Sequence, residues 1–110
     1  ADFEAPIALN GGRPDPDGAY SRYFTSKGNL NKVAGYSSPT LDDLFAQGKA
    51  TTDYDARKAI YKKVDAELEN NAVWVWLFTG YGYTATAKGV SGFEPNPTGS
   101  FRSLAATKVG

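Results

Sequence analysis

The chain has 110 residues, which suits one small domain or a part of a larger one. Its 12 lysines and arginines balance its 12 aspartates and glutamates, which argues against nucleic acid or an anionic membrane surface as a partner. Histidine and cysteine are both absent, which excludes imidazole catalysis, thiolate metal sites and disulfide frames.

The first third of the chain predicts a strand, a loop and a short helix. Residues 2–9, "DFEAPIAL", predict a strand that ends at Asn10-Gly11-Gly12. Asp15 before Pro16 is typical of a helix start, because aspartate caps the first turn and proline suits its first position. We expect this helix to run for about two turns and to end near Lys27-Gly28.

Two further helices are predicted between residues 38 and 71. In "GYSSPTLDDLF" Ser38 is the expected cap, and Pro39 takes the first helical position. The segment "TTDYDARKAIYKKVDAELENN" predicts a longer helix that begins at Thr52 or Asp53. Its expected buried stripe is Ala56, Ile60, Val64 and Leu68, and its expected exposed ion pair is Lys63 with Glu67.

After Asn71 the apolar period changes from that of a helix to that of a strand. The segments "AVWVWLF" at 72–78 and "YGYTATAK" at 81–88 therefore predict two strands. The tail that follows is rich in glycine and proline and predicts loops with one short strand.

The loop "NGGRPDPDG" raises two questions of chemistry. Its two aspartates could belong to a calcium loop, but the pattern lacks the further ligands, and the capping role of Asp15 explains it better. Arg13, beside three small or polar residues, could hold a ligand carboxylate or could be a surface arginine. The residues alone leave these two interpretations of Arg13 open.

The aromatic residues of the predicted strands also have two interpretations. Trp74 and Trp76 could form a stacking platform for a sugar, together with Tyr81 and Tyr83, as in a free-standing carbohydrate-binding module. We favour core packing, because the segment is so apolar. A third hypothesis, a pair of carboxylates for glycoside hydrolysis, has weak support, because nearly all acidic residues lie at helix starts or on predicted outer faces.

In order and spacing, "PDPDG", "GYSSPTLDDL" and the "ARKAIYKKV" helix resemble the carboxy-terminal portion of the peptide/nickel-type solute-binding proteins of ABC importers. This is the dipeptide- and oligopeptide-binding family, family 5, whose members have two α/β lobes. The resemblance implies a lobe fragment of a type II periplasmic-binding-protein fold, with a mixed sheet and two to three packed helices. Residues 1–78 would belong to the second lobe, residues 79–88 to a hinge crossing and residues 89–110 to a return into the first lobe.

The same resemblance implies a function without catalysis, metal or cofactor. The full-length protein would capture a peptide or similar small solute outside the cytoplasm, in the periplasm or tethered to the membrane, and deliver it to an ABC permease. Its partners would be the ligand, the permease and the rest of its own chain, and no signal segment is visible in these residues. The implied ligand-binding residues are Asn10, Gly11, Gly12, Arg13, Trp76, Phe78 and Tyr81. The family's usual aspartate for a peptide amine has no counterpart between Asn10 and Pro14, so Arg13 suggests an acidic group on the ligand.

Overall fold

The computed structural model describes residues 7, 11, 13–96 and 98–110. The strand predicted at 2–9 therefore lies outside the described residues, except for Ile7. The described residues form two compact units, whose main parts are Arg13–Trp76 and Leu77–Gly110. We call these the helical unit and the second unit.

The helical unit contains four helices. They are α1 (Pro16–Phe24), α2 (Asn31–Ala34), α3 (Pro39–Ala50) and α4 (Tyr54–Asn70). The second unit contains β1 (Val90–Ser91), a 3-10 helix (Arg102–Ala106) and β2 (Lys108–Val109). The two strands are antiparallel, with Val90 opposite Val109. In the described part of the chain, no helix is long and apolar enough to cross a membrane.

The three longer helices begin where the capping patterns predict. Asp15, Ser38 and Asp53 each accept a hydrogen bond from a backbone N–H of the first turn, at 2.8, 3.1 and 2.9 Å. These bonds satisfy N–H groups that have no partner within the helix. The end predicted for α1 is wrong, because the helix stops at Phe24 and Thr25 has extended backbone angles.

The core of the helical unit lies between α1, α3 and α4. Phe24 and Leu41 are 0% exposed and Val64 is 1% exposed. Around them are Leu44, Phe45, Tyr61 and Leu68. The stripe predicted on α4 is confirmed at Val64 and Leu68, whereas Ala56 is exposed. Ile60 is partly buried against the core, and Tyr61 is buried. Tyr61, Val64 and Leu68 follow each other at intervals of three and four residues, which places them on one face of the helix.

Polar contacts connect the helices at the edge of this core. The Arg57 guanidinium donates to a carboxylate oxygen of Asp15 at 2.9 Å and to the Gly48 carbonyl at 2.7 Å. One side chain of α4 thereby joins the start of α1 to the end of α3. The predicted pairing of Lys63 with Glu67 is wrong, because the Glu67 carboxylate accepts hydrogen bonds from the hydroxyls of Tyr36 and Ser38, each at 3.3 Å.

The strands predicted at 72–78 and 81–88 are not formed. Both segments are described, and neither has a strand partner among the described residues. The alternation of apolar residues was a valid indication of strand propensity, but a strand also needs a neighbour to receive its backbone hydrogen bonds. The expected packing of two to three helices is present, whereas the sheet that the described residues form has two antiparallel strands and is not mixed.

Two helical glycines give a matched test of the packing between α3 and α4. A Cβ atom added to the buried Gly48 would lie 2.9 Å from ring carbons of Tyr61, whereas one added to the exposed Gly18 of α1 would meet the Arg13 side chain at 3.7 Å. Gly18→Ala should therefore raise the free energy of unfolding by about 0.5–1 kcal/mol through helix propensity. Gly48→Ala should lower it by about 1–2 kcal/mol, because overpacking outweighs that gain. Urea unfolding of both variants measures the difference, and equal stabilisation by the two would show that the Tyr61 ring is free to move.

Candidate functional site

The residues implied by the resemblance are divided between the two units. Asn10 and Gly12 lie outside the described residues. Arg13 and Trp76 belong to the helical unit, whereas Gly11, Phe78 and Tyr81 belong to the second unit. Phe78 is 77% exposed, Tyr81 is 87% exposed and Trp76 is 53% exposed. Their side chains are thus available to a ligand, and their assembly into one site stays a prediction.

The first aspartate of "DPDG" is engaged in contacts within the protein. Asp15 caps α1 and pairs with Arg57, whose hydrogen bond lowers the pKa of the Asp15 carboxyl. Among the described residues, no group of three or more acidic side chains could hold a metal ion. The hydrogen bond that Asp15 accepts from the backbone N–H of Asp17 confirms its capping role.

The aromatic residues of α1 and of the segment after α4 form a connected cluster. The Trp74 ring packs on Phe24 with 4.8 Å between ring centroids and on Tyr23 with 5.1 Å. Trp76 lies 5.4 Å from Trp74, and their rings are tilted by 59°. Tyr20 meets the edge of Trp76 at 5.9 Å and 83°. The core interpretation is confirmed for Trp74, which packs against the hydrophobic core, whereas half of Trp76 is exposed.

A small cavity of about 90 Å³ opens at the exposed end of this cluster. We call it the α4 pocket. It is lined by Tyr20, Asp65, Leu68, Glu69 and Trp76, all from the helical unit. Sequence reasoning had not singled out Tyr20, Asp65 or Glu69 as site residues. The spacing of Asp65 and Glu69 places both carboxylates on one face of α4. Only the folded chain shows that two aromatic rings line the same cavity.

The surroundings of Asp65 in the α4 pocket disfavour its ionised form. Partial burial raises the pKa of Asp65, and the nearby negative charge of Glu69 raises it further. By contrast, the Ser26 hydroxyl and backbone N–H both donate to Asp42, at 2.6 and 2.8 Å, and lower the pKa of that carboxyl. The pKa of Asp65 is thus raised by burial and a neighbouring negative charge, whereas the pKa of Asp42 is lowered by hydrogen bonds.

Comparison with known proteins identifies one informative relative. "Probable di/tripeptide-binding protein 5" of Pseudomonas aeruginosa (strain UCBPP-PA14) is 32% identical to this chain in an alignment of 92 positions that covers 81% of the chain. The resemblance to the peptide-binding family is confirmed. The chain spans 17% of the length of that relative. No family model and no solved structure matches the chain. The relative is named as a peptide-binding protein.

The two tryptophans should differ in their contribution to stability. Trp74→Ala should lower the free energy of unfolding by about 2–4 kcal/mol, because it removes the ring that covers Phe24. Trp76→Ala should cost less than about 1 kcal/mol, because half of its surface remains in water. Denaturant unfolding of the two variants checks this, and equal losses would assign Trp76 to the core.

The carboxyl pKa values give a further test. The folded-state pKa of Asp65 lies above its unfolded value, so ionised Asp65 lowers the stability above that pKa, and the loss disappears as the pH falls below the unfolded value. Asp65→Asn should therefore stabilise the chain at pH 7 and have no stabilising effect near pH 3. In an NMR carboxyl titration, Glu69→Gln should lower the midpoint of Asp65 and leave that of Asp42 unchanged. An Asp65 midpoint that does not respond to Glu69→Gln would contradict the proximity of the two groups.

Proposed function

We propose that this chain is a carboxy-terminal portion of the substrate-binding component of an ABC importer. In this proposal residues 1–78 form part of the second ligand-binding lobe, residues 79–88 cross a hinge and residues 89–110 return to the first lobe. The complete protein captures a peptide or similar small solute between its lobes and delivers it to a membrane permease. It works in the periplasm, or outside the cell with a membrane tether.

The observation that carries this proposal is the similarity to a di/tripeptide-binding protein across 81% of the chain. Three sequence motifs in a fixed order agree with it: "PDPDG" at the start of α1, "GYSSPTLDDL" at the start of α3 and "ARKAIYKKV" within α4. The chain covers 17% of the length of the relative, which supports its being one portion of a longer binding protein. A site between two lobes would need residues beyond these 110.

The proposed ligand residues come from the loop before α1 and from the segment after α4. Arg13 is exposed and lies three residues before the Pro16 that begins α1. A guanidinium so placed can hold a carboxylate through two parallel hydrogen bonds. Trp76, Phe78 and Tyr81 supply exposed aromatic surface for the apolar part of a solute. Asn10, Gly11 and Gly12 complete the proposed set.

The carbohydrate-binding alternative has less support. A sugar platform needs aromatic faces that are flat and accessible. The Trp74 ring is packed on Phe24, and the Trp76 ring is tilted by 59° relative to it. Of this pair, Trp76 is the more exposed, with 53% of its surface accessible.

The proposal is tested by calorimetric titration of a family-length protein that contains this chain. The probes are dialanine, trialanine and alanyl-glutamate. At least one should bind, and Arg13→Ala should weaken its binding tenfold or more, about 1.4 kcal/mol, because the ligand carboxylate loses its partner.

The matched control is Arg102→Ala, which removes an exposed guanidinium outside the proposed site and should leave the affinity unchanged. Absence of binding to all three peptides would count against peptide capture. Binding that survives Arg13→Ala without loss would make Arg13 a surface residue and leave the peptide proposal intact.

A further inference from the structure

Two arginines approach the first turn of α1, and one of them pairs with the Asp15 carboxylate. Arg13 precedes Asp15 by two residues, and its Cδ atom lies 3.7 Å from the position of a Cβ atom added to Gly18. The Asp15 carboxylate lies at the same turn, because it accepts the backbone N–H of Asp17 at 2.8 Å. Within the described residues, its ion pair is with Arg57 of α4 at 2.9 Å, and no ion pair joins it to Arg13.

Other contacts of Arg57 explain why it is the partner. Its guanidinium also donates to the Gly48 carbonyl at 2.7 Å and to the Tyr61 hydroxyl at 3.4 Å, and its Cζ atom lies 5.0 Å from the centroid of the Tyr61 ring. Fixing a long side chain costs conformational entropy, and these contacts already fix Arg57. Arg57 therefore pairs with Asp15 at a lower entropic cost than the exposed Arg13 would.

The pairing of Asp15 has a consequence for Arg13. Arg13 is exposed, and in the part of the chain that the structure describes its guanidinium forms no ion pair. A guanidinium that pairs with a carboxylate of its own protein has its charge balanced and its donors occupied, so it binds a ligand carboxylate less well. Asp15 is a natural competitor, because its carboxylate and the Arg13 side chain lie at the same turn of α1.

We propose that Arg57 is a positioning residue for ligand binding: by holding Asp15 it keeps the Arg13 guanidinium available to a ligand carboxylate. This inference rests on the proposed function, in which Arg13 binds that carboxylate, and it adds a residue that does not touch the ligand. Asp15, Arg13 and Arg57 all belong to the helical unit. The hydrogen bond from Arg57 is the largest cause of the lowered pKa of Asp15, which supports their direct interaction.

The first experiment needs no ligand and follows the side-chain carboxyl signal of Asp15 in an NMR pH titration of the 110-residue chain. Arg13→Ala alone should leave the Asp15 midpoint unchanged, because Arg57 holds the carboxylate. In an Arg57→Met background, Arg13→Ala should raise the midpoint, because Arg13 has by then become the partner and a carboxylate without a cation binds its proton more tightly. Lys62→Met is the matched control, since it removes an exposed cation from the same helix and should leave the midpoint unchanged.

The second experiment is calorimetric titration of a family-length protein that contains this chain, with dialanine, trialanine and alanyl-glutamate as probes. Arg57→Met should weaken the binding of a peptide about fivefold or more, because Asp15 then pairs with Arg13. Adding Asp15→Ser should restore the affinity to within about twofold, because serine caps a helix without carrying a charge. Damage to the fold by Arg57→Met would not be repaired by removing a second contact, so the restoration separates competition from a purely structural role.

A response of the Asp15 midpoint to Arg13→Ala only in the Arg57→Met background, together with the restored affinity, supports the inference. An equal response in both backgrounds, or an affinity loss that Asp15→Ser does not restore, overturns it. If none of the three peptides binds the unaltered protein, the proposed function fails, and the ligand-free titration decides whether Arg57 keeps Asp15 from Arg13. The two failures are therefore distinguishable.

Discussion

The helical unit depends on the burial of the Phe24 ring. Phe24 is the last residue of α1 and is 0% exposed, with Trp74 on one side at 4.8 Å and the apolar faces of α3 and α4 around it. A helix of nine residues is marginal in water by itself, so α1 needs this tertiary contact to persist. The contact from Arg57 to Asp15 fixes the opposite end of the same helix.

The packing of Trp74 on Phe24 also determines where the α4 pocket lies. Since Trp74 is anchored on Phe24, the chain that leaves α4 is held against α1, and Trp76 comes to lie beside Tyr20. The rings of Tyr20 and Trp76, from two segments that are distant in sequence, thereby line one cavity together with Asp65 and Glu69 of α4. The packing that covers Phe24 thus also brings aromatic and acidic side chains into the lining of one pocket.

Recognition of the family depended on local signals that remain readable in a short piece of chain. Capping residues, a proline in the first turn and an apolar stripe each act within one or two helical turns. The resemblance to the peptide-binding family lay in the residues of three segments in a fixed order, "PDPDG", "GYSSPTLDDL" and "ARKAIYKKV", and the relative from Pseudomonas aeruginosa agrees with it. The identity of the ligand is a different matter, because a site between lobes is made by residues that are distant in sequence.

The sequence by itself determined the starts of α1, α3 and α4, the capping role of Asp15 and most of the buried face of α4, because these depend on neighbours within a few residues. It did not determine the state of residues 72–88, where strand propensity is high but a strand forms only with a hydrogen-bonding partner. It also treated Trp74 and Trp76 as equivalent, since both lie on one side of a predicted strand. Only the tertiary structure separated the partly buried ring of Trp74 from the more exposed ring of Trp76 and placed Trp76 in one cavity lining with Asp65 and Glu69, because these positions are set by packing between helices.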